Sequence, residues 1–172
     1  MARYAGLLRG INVGGKNAVP MPALRALVEA LGYTDVTTYI QSGNVVFSGT
    51  GVKAEQLEKA IRKEFELDIR VVLRTHRQLE SVIEHNPFPR ADTSTLHVGY
   101  MCEKPSAAAI KSLDVERFAP DELAFRGREF YLHLPNGLGR AKLPPYVDRR
   151  LKIPTTVRNW KTATKLAELT AV

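Results

Sequence analysis

The stretch Arg9-Gly10-Ile11-Asn12-Val13-Gly14-Gly15-Lys16-Asn17 concentrates three glycines, two asparagines and two cations. Glycines let the backbone turn its N–H groups toward one point, and the cations add positive charge, so the stretch suits an anion. On this reading Arg9, Asn12, Gly14, Gly15 and Lys16 would hold a phosphate or a carboxylate; the alternative is a glycine-rich connection whose positive-φ positions simply let the chain turn. Gln41-Ser42-Gly43-Asn44 adds two amides and a hydroxyl, from Gln41, Ser42 and Asn44, which suit either ligand hydrogen bonding or ordinary turn chemistry. A second glycine-and-cation loop, Asn136-Gly137-Leu138-Gly139-Arg140-Ala141-Lys142, offers Arg140 and Lys142. Arg158-Asn159-Trp160-Lys161-Thr162 reads as the start of a helix with Asn159 as its N-cap, and a helix N-terminus flanked by Arg158 and Lys161 attracts anions.

Other chemistries fit the sequence less well. Gly10, Gly15 and Lys16 match the spacing of the nucleotide-binding motif G-x-x-x-x-G-K-[ST], but position 17 is Asn, which lacks the magnesium-binding hydroxyl. Pro20 and Pro22 also delay the helix that should begin at the Gly-Lys step. Ser42 lacks the G-x-S-x-G context of a hydrolase nucleophile. His76, His85, His97 and His133 show no metal-ligand spacing, so no metal is expected, and His97 and His133 read as structural residues on strands. Acidic residues fall on helix surfaces, so no acid–base pair and no catalytic residue can be named. Cys102 is the only cysteine and reads as a buried thiol; Trp160, the only tryptophan, reads as a core anchor.

The elements that would position these residues follow from periodicity. Arg3 to Leu8 reads as a short buried strand, and Leu24, Leu27, Val28 and Leu31 form one face of a helix stopped by Gly32. Val36–Gln41 and Asn44–Ser48 read as strands joined at Ser42-Gly43. Leu57, Ala60, Ile61 and Phe65 mark a second helix and Ile69–Arg74 a fourth strand, completing the β-α-β-β-α-β order of a ferredoxin-like, split βαβ plan. A third helix begins at Thr75, with Gln78 at capping-box spacing, and stops at Asn86-Pro87-Phe88-Pro89. The second half repeats the theme as β-α-β-β-α: strand Thr95–Met101, helix Ser106–Leu113, strands Asp121–Phe125 and Glu129–Leu134, a long loop from Pro135 to Val157, and a last helix bearing Trp160, Ala163, Leu166 and Leu169. The expectation is an α+β protein of two related halves, 1–86 and 87–172, with antiparallel or mixed sheets and helices on one face. In such a half the loop after the first strand and the hairpin between the second and third are expected at opposite ends of the sheet. One site using both would then require another topology or a contribution from the second half.

With 172 residues, 44% hydrophobic and 25% charged, the chain is an ordinary globular protein. Arg9 interrupts the first apolar run, no stretch approaches a membrane span, and no secretory pattern opens the sequence. A lone cysteine excludes an internal disulfide, and a cytoplasmic location is expected. The net charge is +7, and from Arg140 onward eight lysines and arginines face only Asp148 and Glu168. Such a basic third favours acidic partners or serves only as a solvated face.

Several of these motifs carry a resemblance. Leu7 to Asn17 and Tyr39 to Phe47, followed by Asn86-Pro87-Phe88, Tyr131 to Gly137, Gly139 to Leu143 and Arg158 to Thr162, are similar to the pattern of an uncharacterised bacterial family, domain of unknown function 1697. The resemblance implies a cytoplasmic, single-chain α+β protein with two related halves. It implies no reaction, cofactor or catalytic residue, and Lys16-Asn17 fits that family pattern.

Two functions follow as expectations. The first is recognition, or processing, of an anionic, phosphate-bearing small molecule by the glycine loops and their cations. The second is sequence-tolerant nucleic-acid binding by the basic C-terminal third, with a protein-interaction domain as a further possibility. The third strand offers only Phe47 where an RNA-recognition motif carries stacking aromatics. Cofactor, oligomeric state and ligand identity are not legible here.

Overall fold

The computed structural model describes residues 1–171. Contacts divide the chain into unit 1, Met1–Glu80 with the stretch from Leu166, and unit 2, Ser81–Lys165. Unit 1 contains β1 (Ala2–Leu8), α1 (Met21–Ala30), β2 (Thr34–Tyr39), β3 (Asn44–Gly49), α2 (Ala54–Phe65) and β4 (Val71–Thr75). Helix α3 (His76–Glu84) follows. Unit 2 contains β5 (Leu96–Met101), α4 (Ala107–Lys111), β6 (Glu122–Arg126), β7 (Glu129–His133), α5 (Leu143–Leu151) and β8 (Thr155–Asn159), and α6 (Trp160–Thr170) comes last. The unit boundaries fall inside α3 and α6.

Each unit has one four-stranded antiparallel sheet, ordered β2-β3-β1-β4 in unit 1 and β6-β7-β5-β8 in unit 2. This is the split βαβ plan used twice. In unit 1 the amphipathic faces of α1 (Met21, Leu24, Val28) and α2 (Leu57, Ile61) cover Leu8, Val36, Val45, Phe47 and Val71. In unit 2 α5 supplies Leu143, Tyr146 and Val147 to a core with Met101, Phe130 and Leu132. β3 and β5 are buried at every position, so each sheet is covered on both faces along these strands, whereas β2 and β6 are largely exposed or half-buried.

The two sheets repeat residue by residue. Gly6 of β1 pairs with Val45 and Leu73, and Gly99 of β5 pairs with Phe130 and Val157. One step toward the N-terminus of the central strand, Ala5 lies opposite Arg74 and Val98 opposite Arg158, both buried arginines on the last strand of their unit. Each donates to the carbonyl before it, Arg74 Nη1 to Leu73 O (2.9 Å) and Arg158 Nη1 to Val157 O (3.2 Å). The following helices are capped at matching positions. Thr75 Oγ1 accepts from Gln78 N (3.3 Å) while Gln78 Oε1 accepts from Thr75 N (2.9 Å), and Asn159 Oδ1 accepts from Thr162 N (2.8 Å).

The long loop expected from Pro135 to Val157 instead contains α5 and β8, so the second unit completes the plan of the first. Two prolines hide α5 from a periodicity reading, yet they occupy its first turn, where the backbone N–H groups have no helical partner to lose. β8 is masked because Arg158 occupies a buried position that alternation reserves for an apolar residue. Trp160 is buried as expected. Cys102 is only partly buried, because it sits just past the end of β5, where its N–H donates to Pro154 O (3.0 Å).

Candidate functional site

The first glycine loop is a small hairpin. Gly14 and Gly15 have φ of 56° and 74°, and Lys16 N donates to Val13 O (2.9 Å), the geometry of a type I′ turn. Asn12 N donates to Asn17 O (3.1 Å) below it. The Asn12 side chain ties this hairpin down: Nδ2 donates to Val19 O (3.0 Å) and Gln41 O (2.7 Å), and Oδ1 accepts from Val19 N (2.8 Å). Asn17 Nδ2 donates to Gly10 O (3.0 Å). The glycines therefore serve the turn, and the Asn12 amide is occupied by backbone.

The bond from Asn12 to Gln41 also corrects an expectation: the loop after β1 and the β2–β3 hairpin lie at the same end of the sheet. β3 runs antiparallel to β1, so Leu7 lies opposite Asn44 and Leu8 N donates to Gly43 O (2.9 Å). Gly43, at φ 87°, is packed against Ile11, whose Cδ1 lies 2.7 Å from where a Cβ would stand. The turn spans residues 40–43, since β2 ends at Tyr39, and Ile40 adopts φ 50°, a strained conformation for a β-branched residue. Asn44 is fully buried, donating to Tyr39 O (3.0 Å) and Ser42 Oγ (3.1 Å). Arg9, Gly14, Gly15, Lys16 and Gln41 are exposed and Ser42 is half-buried. Unit 1 thus gathers Arg9, Lys16, Gln41 and Ser42 at one end of its sheet.

The second glycine loop has a different character. Gly137 N donates to Leu134 O (2.9 Å) and Ala141 N to Leu138 O (3.1 Å), so backbone bonds close its turns. Arg140 and Lys142 join Arg117 in lining a cleft of ≈ 350 Å³, with Asn136, Gly137 and the segment Phe118 to Asp121 completing its wall. The Arg117 guanidinium lies over the rings of Phe118 and Tyr146, 4.9 and 4.6 Å from their centroids. Such stacking holds a cation in place without neutralising it. Burial pushes the Asp121 carboxyl up, and His133 acts in the opposite direction.

Arg158, Asn159 and Lys161 do not line this cleft. Arg158 is buried on β8, where Nη1 also donates to Thr156 Oγ1, and burial pushes its guanidinium down to about 10, against an opposing influence from Tyr100. Asn159 caps α6 and Lys161 is exposed. The sequence reading missed Arg117 and Asp121, which lie apart from any glycine loop and carry no motif. It also missed the pair His133–Glu122, whose Nδ1 and Oε1 lie 2.8 Å apart. Strand alternation puts His133 and Glu122 opposite each other once β6 and β7 are paired, so a register argument would have found them.

Among the described residues, no helix is long and apolar enough to cross a membrane. No curated protein matches the chain. A solved structure, that of a conserved bacterial protein from Streptococcus pneumoniae, is similar over 99% of both chains, with 28% identity and a TM-score of 0.78. Residues 1–131 match the family described as "Protein of unknown function (DUF1697)", and with three quarters of its length in that match the chain belongs to this family.

Proposed function

We propose that the protein binds an anionic, phosphate-bearing small molecule, and that the anion lies in the unit 2 cleft against Arg117, Arg140 and Lys142. The observation that carries this reading is the meeting of three cations from two separated stretches of chain in one concave space. A concave site with few convergent polar groups is where small ligands bind, and a ring-stacked arginine is a preorganised phosphate partner. The exposed cations Arg9 and Lys16 remain a second, flatter anion contact on unit 1. A reducing, cytoplasmic setting suits a chain whose one cysteine, Cys102, is partly exposed.

Nucleic-acid binding has weaker support. Arg149 and Arg150 lie in the last turn of α5 and Lys152 just follows it, where cations complement the helix dipole. Arg150 in addition donates to Ser112 O (3.3 Å). These residues have a structural reason to be basic.

Charge-assisted hydrogen bonds contribute about 1.5–3 kcal/mol each, so Arg140→Ala with Lys142→Ala should weaken binding of inorganic phosphate or ribose 5-phosphate by about a hundredfold. Both residues are exposed, and the melting temperature without ligand should barely change. Titration calorimetry with melting curves checks this; unchanged affinity in the double variant refutes the assignment.

A further inference from the structure

We propose that the anion cleft and the apolar groove beside it hold the two ends of one ligand, a nucleoside monophosphate, with its base on Phe88 and its phosphate on Arg117, Arg140 and Lys142. This rests on the anion reading above and names the class of molecule.

The groove has a volume of ≈ 500 Å³ and is lined by Pro87, Phe88, Pro89, Arg90 and Ala91, with Glu122 and His133 from the sheet. Both cavities lie within the range of about 300–1,000 Å³ typical of small-ligand sites. They share a rim. Asp121 lines the cleft and Glu122 the groove, one residue apart; His133 lines the groove and Asn136 the cleft, three residues apart. Pro135 and Asn136 lie in a turn, so this separation is at most about 10 Å, and a ligand reaching both needs a phosphate and a ring separated by a linker of only a few bonds. A ribose 5′-phosphate is such a linker.

The lining chemistry divides in the same way. The cleft offers three cations, whereas the groove offers one, Arg90, beside the ring and proline faces on which a planar base stacks. The Phe88 and His133 rings lie 5.7 Å apart with their planes at 35°. His133 Nδ1 lies 2.8 Å from Glu122 Oε1, which fixes the ring and leaves Nε2 as the nitrogen for a ribose hydroxyl or a base edge. Asp121 also lines the cleft; burial pushes its carboxyl up from the ordinary value, and His133 acts the other way.

The test is calorimetric titration of the full chain with AMP, GMP, CMP, UMP, ribose 5-phosphate and inorganic phosphate. At least one nucleotide should bind about tenfold or more tighter than ribose 5-phosphate, the range expected for one stacked base. Phe88→Ala and the volume-conserving Phe88→Leu should both reduce that nucleotide to the level of ribose 5-phosphate, whose own affinity stays the same. Arg140→Ala with Lys142→Ala should weaken all the phosphates together. Nucleotides equal to ribose 5-phosphate in the wild type, or an advantage that survives both Phe88 variants, overturn the two-cavity ligand and leave the anion cleft standing. Failure of every phosphate to bind overturns both.

Discussion

Gly6 and Gly99 occupy the same place in two copies of one plan, at the middle of the central strand, but their neighbours differ. Opposite Gly99 the Phe130 ring lies across the strand, with Cζ 2.2 Å from where a Cβ would be; opposite Gly6 the nearest atom is Val45 Cγ1 at 3.2 Å. The same backbone is therefore completed by an aromatic ring in unit 2 and by ordinary aliphatic packing in unit 1. The loops diverge in a related way. Unit 1 carries its long glycine loop after its first strand, whereas the connection after β5 is only Cys102 to Ser106; unit 2 carries its long loop after β7. A side chain, Asn12, pins the first loop, and backbone bonds close the second. A shared framework thus leaves each unit free to specialise a different loop, and only the second loop helps to line the basic cleft.

The glycine pair gives the largest test of this contrast. Gly99→Ala forces either the Phe130 ring or the strand to move and should cost about 3 kcal/mol. For a chain of this size that lowers the melting temperature by about 6–12 °C. Gly6→Ala needs a shift of only a few tenths of an ångström and should cost less than about 1 kcal/mol. Equal losses in the two variants, followed by thermal melts, would break the comparison.

The loops give an intermediate effect. Asn12→Ala removes two donated bonds and one accepted bond and should cost about 2 kcal/mol, whereas Asn136→Ala in the second loop should stay within about 0.5 kcal/mol. Chemical denaturation of both variants measures the difference, and a costly Asn136→Ala would mean that side chains brace both loops.

The smallest effect concerns pH. The position of Tyr4 in unit 1 is taken in unit 2 by His97, which is buried and whose Nδ1 has no hydrogen-bond partner among the described residues. Burial pushes its pKa below 6.5, with the Thr95 backbone acting the other way. Below pH 6.5 the unfolded imidazole takes a proton that the folded one resists, so this contribution is fully present above 6.5 and declines as the pH falls through that value. Melting temperatures at pH 7.5 and about 5.5 should show a drop in the wild type that is smaller in His97→Phe; an identical drop would assign the acid sensitivity to other groups.

Part of the molecule was legible before folding. α1 and α2 follow from their apolar spacing, and the capping bonds of Thr75–Gln78 and of Asn159 stand where the sequence placed them. Gly14 and Gly15 take the positive φ that a plain turn requires, the alternative to a ligand role for this loop. α5 and β8 stayed hidden because one starts on prolines and the other buries an arginine.

The sequence by itself determined most of the elements, the N-caps of α3 and α6 and the basic character of the second half, since propensity, hydrogen bonding within a turn and net charge act over a few residues. Only the tertiary structure decided that the first loop and the hairpin share one end of the unit 1 sheet, because strand direction fixes which ends meet. It also decided that Arg117, with no motif of its own, joins Arg140 and Lys142, and that Glu122 faces His133. Those meetings depend on how β6 and β7 pair and on how the chain closes around them, and no local property of an arginine or a histidine records either.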